Sequence, residues 1–281
     1  MIVGLGEWGL QYLSIEEHCR IAKEMGFRYL ELGIGGDYPG RIQRNISPRQ
    51  IDELLATMQD YGIKAPFFAL DSDFTLEEPE ALRNMKLQVA HDIQLAARFG
   101  ATHVRLFTGF ELASNMTEEQ WIRMTQAFAE MNELCSAHGI VISIETHGRI
   151  TKKNEGFIQE HTTTTEWNCL LRLLCELPPE VGFNFDPGNL KTVAEGRPLT
   201  DYAKLLGNRI NYCHLKDWRR VDDYWVACAP GDDDLDYDAL LKDVPFQGVY
   251  LIEYEQTDDI IKGIGRSLNY LRSIRPNLRM E

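Results

Sequence analysis

Residues 182–218, GFNFDPGNLKTVAEGRPLTDYAKLLGNRINYCHLKDW, contain one complete structural unit of this chain. An apolar strand candidate, GFNFDPG, precedes a helical segment that ends at Gly207, and a second strand candidate, NYCHLKDW, follows. A glycine after the last turn of a helical pattern is the expected left-handed cap. The stretch therefore predicts a strand, a helix and another strand, with an ionisable residue near the end of each strand: Asp186 and His214.

The same unit recurs along all 281 residues. Glycines mark earlier helix ends at intervals of 36–39 residues, and capping-box patterns mark helix starts. These glycines are Gly26, Gly62, Gly100 and Gly139, and the capping boxes begin at Ser14, Ser47, Thr117 and Thr163. Eight strand candidates, each followed by a helix, predict an α/β fold with a single (β/α)8 barrel over residues 1–281. A doubly wound open sheet is the structural alternative.

The strand candidates are short apolar runs rich in Val, Ile, Phe and Tyr. In chain order they are IVGLGEWG, YLELGI, KAPFFAL, HVRLFTG, VISIETHG, GFNFDPG, NYCHLKDW and VYLIEYE. The segment 149–161 between the fifth and sixth of them is long and polar for a loop of a barrel, so we expect it to cover the site as a lid. His18, His91 and His138 fall on helices and are expected at exposed positions or at their rims.

Charge and cysteine content limit the class of partner. The net charge is −14, from 29 basic and 43 acidic residues, and an acidic surface repels phosphate backbones and anionic membranes. No apolar run approaches the ~18 residues of a membrane span, and no basic segment precedes an apolar one at the N-terminus. The six cysteines form no CxxC pair, which favours reduced thiols in the cytoplasm. We therefore expect a cytoplasmic protein with a small-molecule partner, and neither nucleic acid nor a membrane.

Four ionisable residues occupy ends of strands five to eight: Glu145, Asp186, His214 and Glu253. Catalytic residues of (β/α)8 barrels lie at these strand ends. Three carboxylates and one imidazole that converge on a barrel axis are costly without a counter-charge, and a divalent cation supplies it. Separate buried ion pairs are the alternative. Oxygen ligands with one nitrogen predict one divalent ion, with Mn²⁺ first and Mg²⁺, Co²⁺ or Zn²⁺ as other choices.

These residues resemble the xylose isomerase-like TIM barrels, a family of sugar isomerases and epimerases that includes D-tagatose 3-epimerase, hydroxypyruvate isomerase and inosose dehydratase. The resemblance extends to the ending GDDDLDYDALL…FQGVYLIEYE. It implies that the four strand-end residues are metal ligands, that Glu145 and Glu253 are the catalytic acid and base, and that Arg220 contacts substrate. It also implies a dimer or tetramer. Asn189 departs from the epimerase pattern, which has histidine there, and an amide hydrogen-bonds a substrate oxygen but carries no proton.

Other side chains at the predicted barrel mouth are candidates for substrate contact. The first strand lifts Glu7 and Trp8 into the mouth, where Trp8 stacks on a sugar or belongs to the core. Arg105 is a candidate anion contact. Glu31 either binds a hydroxyl or pairs with Arg105.

Two further candidates share an inward face with a predicted ligand. His147, two residues after Glu145, either contacts substrate or supports a ligand. Lys216, two residues after His214, either contacts a substrate oxygen or neutralises Asp186.

Together these features predict a metal-dependent isomerase or epimerase of a small sugar or keto-sugar, phosphorylated or not. One glutamate would remove the proton next to the carbonyl, the metal would stabilise the enediolate, and the proton would return to a neighbouring position. Loss of a hydroxyl instead would make the enzyme a dehydratase of a cyclic polyol ketone. A non-catalytic sugar-binding barrel is the third alternative.

Overall fold

The computed structural model of the chain describes residues 1–194 and 196–280. Its strands alternate with helices over that whole length. In chain order the strands are β1 (Ile2–Leu5), β2 (Tyr29–Ile34), β3 (Arg41–Ile42), β4 (Lys64–Leu70), β5 (His103–Leu106), β6 (Val141–Glu145), β7 (Arg149–Lys153), β8 (Gly156–Glu160), β9 (Gly182–Phe185), β10 (Ile210–Leu215), β11 (Asp217–Val221), β12 (Tyr224–Cys228) and β13 (Val249–Ile252).

The helices pack around the outside of the strands. They are α1 (Ile15–Met25), α2 (Pro48–Tyr61), α3 (Pro79–Arg98), α4 (Glu118–Ala137), α5 (Trp167–Glu176), α6 (Pro187–Lys191), α7 (Leu199–Leu206), α8 (Tyr237–Asp243) and α9 (Ile260–Ile274). Two short 3-10 helices, Trp8–Leu10 and Gly207–Arg209, complete the described elements.

Eight parallel strands close into a barrel within the described residues. The order around the barrel is β1, β2, β4, β5, β6, β9, β10 and β13, and β1 pairs with both β2 and β13. This closure confirms the predicted (β/α)8 barrel and excludes the open sheet. All eight strand candidates are barrel strands, because each apolar run is short and ends where a helix can return along the outside.

Apolar side chains fill the barrel interior below the site and the space between barrel and helices. Phe67, Tyr212, Val249 and Leu251 form the interior cluster. A much larger cluster joins the outward faces of the strands to the helices, and Cys213 belongs to it. The neighbouring His214 therefore points into the barrel, as alternation along a strand requires.

Three of the four predicted helix caps are present. Ser14, Ser47 and Thr117 form complete capping boxes at α1, α2 and α4. The prediction at Thr163 is wrong, because α5 begins four residues later with the Glu166 side chain as its cap. The Thr163 hydroxyl instead donates a hydrogen bond of 2.8 Å to Thr108.

A second sheet at the barrel mouth was not anticipated. β7 and β8 form one hairpin, β11 and β12 form another, and the four strands join in the antiparallel order β11-β12-β8-β7. The segment 149–161, expected as a polar loop, thus contains two strands that reverse direction near Asn154, whose φ is +50°. Its covering position agrees with the lid expectation, although its structure is a sheet.

Two further observations concern the chemistry of the whole chain. All six cysteines lie in the described part of the chain and are free thiols. Among residues 1–194 and 196–280, no helix has the length and apolar character needed to cross a membrane.

Candidate functional site

Four neighbouring barrel strands end at the candidate site. Glu145 is the last residue of β6, Asp186 directly follows β9, His214 is the next-to-last residue of β10, and Glu253 directly follows β13. Each side chain offers one ligand atom, the four atoms lie within 4.8 Å of one another, and all four residues are buried. The structure therefore brings together the four strand-end residues of the sequence.

Two cations neutralise the glutamates of this cluster. Arg105 Nε lies 3.0 Å from Glu145 Oε2, and Lys216 Nζ donates a hydrogen bond of 2.8 Å to Glu253 Oε2. Burial opposes ionisation of Glu145, but Arg105 and His214 together outweigh it and hold the pKa of that carboxyl below its ordinary value. Burial prevails at Glu253 and raises its pKa to about 7. The two glutamates therefore differ in proton affinity, as an acid and base pair requires.

The two nitrogens of the His214 imidazole face different carboxylates. Its Nε2 lies 3.2 Å from Glu31 Oε1, and its Nδ1 lies 3.4–3.8 Å from the three ligand carboxylates. When Nε2 donates its proton to Glu31, the Nδ1 lone pair faces the cluster, which is the orientation of a metal ligand. Burial alone would lower the pKa of His214, but the surrounding carboxylates, with Glu253 foremost, raise it well above its ordinary value. The cluster thus attracts positive charge.

Glu31 is a functional residue whose role the sequence did not reveal. Besides the His214 contact, its carboxylate accepts hydrogen bonds from the Tyr212 hydroxyl at 2.6 Å and from the Glu7 backbone N–H at 3.0 Å. The sequence suggested that Glu31 binds a hydroxyl or pairs with Arg105. The structure corrects this, because Arg105 pairs with Glu145 on β6 and Glu31 orients the imidazole.

Asn189 bridges two of the ligand candidates. Its Nδ2 donates hydrogen bonds to Glu145 Oε1 at 3.0 Å and to Asp186 Oδ2 at 3.1 Å, while its Oδ1 accepts one of 3.4 Å from Trp218. The side chain is fully buried. Both polar groups of the amide thus have protein partners, which gives Asn189 a positioning contact with two ligand candidates, and its hydrogen bond to a substrate oxygen stays a prediction.

A cavity of about 370 Å³ opens onto the two glutamates. Four of the expected substrate contacts line it: Trp8, Arg105, His147 and Lys216. The His147 ring packs edge-on against Phe107 with centroids 4.8 Å apart. Burial lowers the pKa of His147 to about 4, so its imidazole is neutral at pH 7.

Lys216 makes its closest contacts with glutamates. Its Nζ lies 2.5 Å from Glu255 Oε1 and 2.8 Å from Glu253 Oε2, but 3.7 Å from Asp186 Oδ2. The neutralising role considered for Asp186 from the sequence is therefore shared, and its closest contacts are with Glu255 and Glu253.

Two expected substrate contacts lie elsewhere. The chain turns into a 3-10 helix directly after Glu7, whose carboxylate is fully buried against Gly33 with Arg41 Nε 3.6 Å away. Burial raises the pKa of Glu7 to about 8. Arg220 is exposed near the tip of the β11–β12 hairpin, where its Nε donates to the Asp222 carbonyl at 3.2 Å. Trp218, two residues earlier on the same face of β11, lines the cavity instead.

The donor set fits a divalent cation. It offers three carboxylates and one imidazole nitrogen, and the buried Glu145 Oε2 accepts no hydrogen bond, since its 3.0 Å contact with Arg105 is an ion pair without hydrogen-bond geometry. Oxygen-rich sets with one imidazole suit Mg²⁺, Mn²⁺ and Co²⁺, and Zn²⁺ also accepts them. Glu145, Asp186, His214 and Glu253 are thus the residues that would hold the ion.

Comparison with known proteins identifies one family. The model described as xylose isomerase-like TIM barrel matches residues 19–274. No curated protein matches the chain by sequence. Among solved structures, a 3-keto-D-glucoside 4-epimerase from E. coli is similar with a TM-score of 0.74 at 18% identity, covering 97% of this chain and 99% of the other.

Two further structures share the fold at similarly low identity. The probable 3-DHS dehydratase involved in petrobactin synthesis from Bacillus anthracis has a TM-score of 0.75 at 17% identity, with 96% of this chain and 98% of the other covered. A xylose isomerase-like TIM barrel protein from Mycobacterium smegmatis, in complex with magnesium, has a TM-score of 0.74 at 14% identity, with 97% and 96% covered. These likenesses establish the fold of the chain.

Proposed function

The chain belongs to the xylose isomerase-like TIM barrel family, and from this premise we propose that it is a metal-dependent isomerase or epimerase of a small keto-sugar or polyol ketone. The observation that carries the proposal is the convergence of Glu145, Asp186, His214 and Glu253 from four neighbouring strands into one buried cluster. The two glutamates of this cluster line the cavity. The solved relatives support it, since one is an epimerase and another a probable dehydratase.

The two glutamates perform the proton transfer in this proposal. Both line the cavity, so both reach a substrate carbon placed between them. One removes the proton next to the carbonyl, and it or the other glutamate delivers a proton to a neighbouring position. Arg105 favours the ionised form of Glu145, and the ammonium group of Lys216 lies beside Glu253 as a proton donor.

A divalent ion held by Glu145, Asp186, His214 and Glu253 would supply Lewis-acid chemistry at the substrate carbonyl. We place Mn²⁺ first for this role, ahead of Mg²⁺, Co²⁺ and Zn²⁺, because the set is rich in oxygen and contains no thiolate. The partners are then a small sugar-derived ketone and a second copy of the chain, in a cytoplasmic homodimer or homotetramer.

Asn189 argues against free ketohexoses as preferred substrates. Both of its polar atoms are bound to protein groups, and an amide cannot transfer a proton at neutral pH. We expect slow epimerisation of free D-tagatose and D-fructose and faster reaction of a different polyol-derived ketone. Rapid turnover of the free ketohexoses would show that the departure at Asn189 has no such consequence.

Deuterium exchange from solvent tests the proposed reaction. The Mn²⁺-loaded protein is incubated in D₂O with a panel of ketoses and cyclic polyol ketones, and products are analysed by mass spectrometry and NMR. We expect deuterium next to the carbonyl before net conversion, because proton removal is reversible. Glu253→Gln should lose the exchange by a factor of at least about 10², whereas Glu119→Gln, an exposed change on α4, should retain it.

The products separate the alternatives. A product lighter by one water, without exchange back into substrate, would assign the chain to the dehydratases. Binding of sugars with neither exchange nor dehydration would identify a non-catalytic barrel. Either result would overturn the isomerase proposal.

A further inference from the structure

Six of the fourteen described residues that line the cavity are apolar, and they form extended walls beyond the two glutamates. Phe107 and Phe110 come from the segment after β5 and pack against each other with centroids 5.2 Å apart. Phe157 and Trp218 come from the small antiparallel sheet and meet edge-on at 5.8 Å. Ile150 of β7 and Trp8, which begins the 3-10 helix after β1, complete these apolar surfaces.

A free sugar matches such walls poorly. Its hydroxyl groups would lose water without gaining hydrogen bonds wherever they face an aromatic or aliphatic side chain, and each unpaired hydroxyl is costly. The polar lining is concentrated around the glutamates, together with Asp71 and Ser72. The cavity therefore has one end suited to hydroxyl groups and extended surfaces suited to an apolar group.

The basic side chains of the cavity are already neutralised. Apart from His147, the described residues that line it include two bases, Arg105 and Lys216. Arg105 pairs with Glu145 at 3.0 Å, and Lys216 pairs with two carboxylates at 2.5 and 2.8 Å. A phosphate dianion would have to compete with these buried carboxylates for each cation.

Acidic residues also occupy the usual place of a phosphate. Many (β/α)8 barrels bind phosphate with the loops after their seventh and eighth strands. Here the eighth strand, β13, is followed by a segment that contains Glu253, Glu255, Asp258 and Asp259. The seventh strand, β10, leads directly to the neutralised Lys216. The carboxylates after β13 would repel an anion, and Lys216 after β10 is already paired with carboxylates.

We propose that the substrate is an unphosphorylated polyol ketone that carries a bulky apolar substituent, such as an aryl or alkyl group in glycosidic linkage. The substituent packs on the aromatic walls, and the hydroxyl-rich part faces the glutamates. The ketone in this statement rests on the proposed function, whereas the neutral charge and the apolar substituent rest on the cavity walls alone.

Two matched ligand pairs test the proposal by calorimetry on the Mn²⁺-loaded protein. Phenyl β-D-glucoside should bind at least about tenfold more tightly than methyl β-D-glucoside, because its ring removes more apolar surface from water. D-fructose 6-phosphate should bind no more tightly than D-fructose. Phe157→Ala and Phe110→Ala, which alter different walls, should each reduce the preference for phenyl. Trp225→Ala, on the same small sheet but outside the cavity lining, should preserve it.

Each result decides the proposal. Equal affinity for the phenyl and methyl ligands, or no measurable binding of either, would overturn the apolar subsite. Tighter binding of the phosphorylated ketose would overturn the neutral substrate. Phenyl preference without deuterium exchange on any ketone would refute the proposed function alone, and exchange fastest on ketose phosphates would refute this inference alone.

Discussion

At the scale of single residues, Glu31 determines how His214 faces the cluster. Its carboxylate accepts hydrogen bonds from the imidazole, a tyrosine hydroxyl and a backbone amide, and it is fully buried. Such a partner keeps the proton on Nε2 and directs the Nδ1 lone pair toward the ligand carboxylates. The Asn184 amide lies 3.2 Å from the same Nδ1, and a bound metal would replace that contact.

The change Glu31→Gln should therefore weaken metal binding. In the structure Oε1 accepts the Tyr212 and His214 hydrogen bonds and Oε2 accepts the Glu7 N–H. An amide has one acceptor oxygen, so its NH₂ group would face a donor, and it lacks the negative charge that holds the proton on Nε2. We expect the Kd for Mn²⁺ to rise about 10–100-fold, measured by calorimetry, with a changed absorption spectrum of the Co²⁺ form. Tyr212→Phe keeps the carboxylate and should change the Kd less. An unaltered Kd and spectrum in Glu31→Gln would contradict the orienting role.

The sequence revealed the ligand candidates but not their supports, and the reason is distance along the chain. Each candidate stands out because it is an ionisable residue at the end of an apolar strand. Glu31 lies in the middle of β2, and its partners Tyr212 and His214 are more than 180 residues away. Only the closed barrel shows that β2 faces β10 across its interior.

At the scale of secondary structure elements, local signals predicted the barrel strands and most helix caps. Ser14, Ser47 and Thr117 cap their helices through residues three positions away, so their patterns are visible in the sequence. The sheet over the mouth depends on pairing between β8 and β12, which are far apart in the chain, and its polar edge strands resemble a loop. The contribution of Phe157 to the cavity was therefore missed.

Helix α1 contains a histidine whose burial has a consequence for pH dependence. His18 was expected at an exposed position or rim, but it is fully buried and its Nε2 donates a hydrogen bond of 2.7 Å to the Leu10 carbonyl. Burial lowers its pKa in the folded protein, whereas the unfolded chain binds a proton near pH 6.5. The stability that neutral His18 contributes is thus present above pH 6.5 and is lost as pH falls below it.

Substitution by glutamine isolates this contribution. Between pH 7 and pH 5 the free energy of unfolding of His18→Gln should fall less than that of the unaltered protein, as measured by urea titration at each pH. His138→Gln, at an exposed position just after α4, is the matched control. Parallel pH profiles for the unaltered protein and His18→Gln would contradict the account.

At the scale of the whole molecule, three neighbouring helices expose large apolar side chains. Leu87 on α3 is 65% exposed, Ile122 on α4 is 46% exposed, and Leu171 on α5 is 38% exposed. We expect this surface to contribute to the proposed homo-oligomer, because association would remove apolar area from water. Light scattering should show a dimer or tetramer at micromolar concentration, and Ile122→Lys should shift it toward monomer. A strict monomer would reject the association and leave the site unaffected.

The apolar residues that stabilise the barrel are different from the proposed metal ligands. The apolar cluster of Phe67, Tyr212, Val249 and Leu251 lies inside the barrel, where Tyr212 packs edge-on against His214, and the larger outer cluster holds the helices. Changes at the ligands should therefore remove the metal without unfolding the chain.

Metal content tests the central claim most directly. After incubation with Mn²⁺ and removal of the free ion, elemental analysis should find about one divalent ion per chain in the unaltered protein. Asp186→Asn and His214→Ala should contain little or none while their circular dichroism spectra stay unchanged. An unaltered protein that retains no metal, or variants that retain full occupancy, would contradict the claim that these strand ends form a metal site.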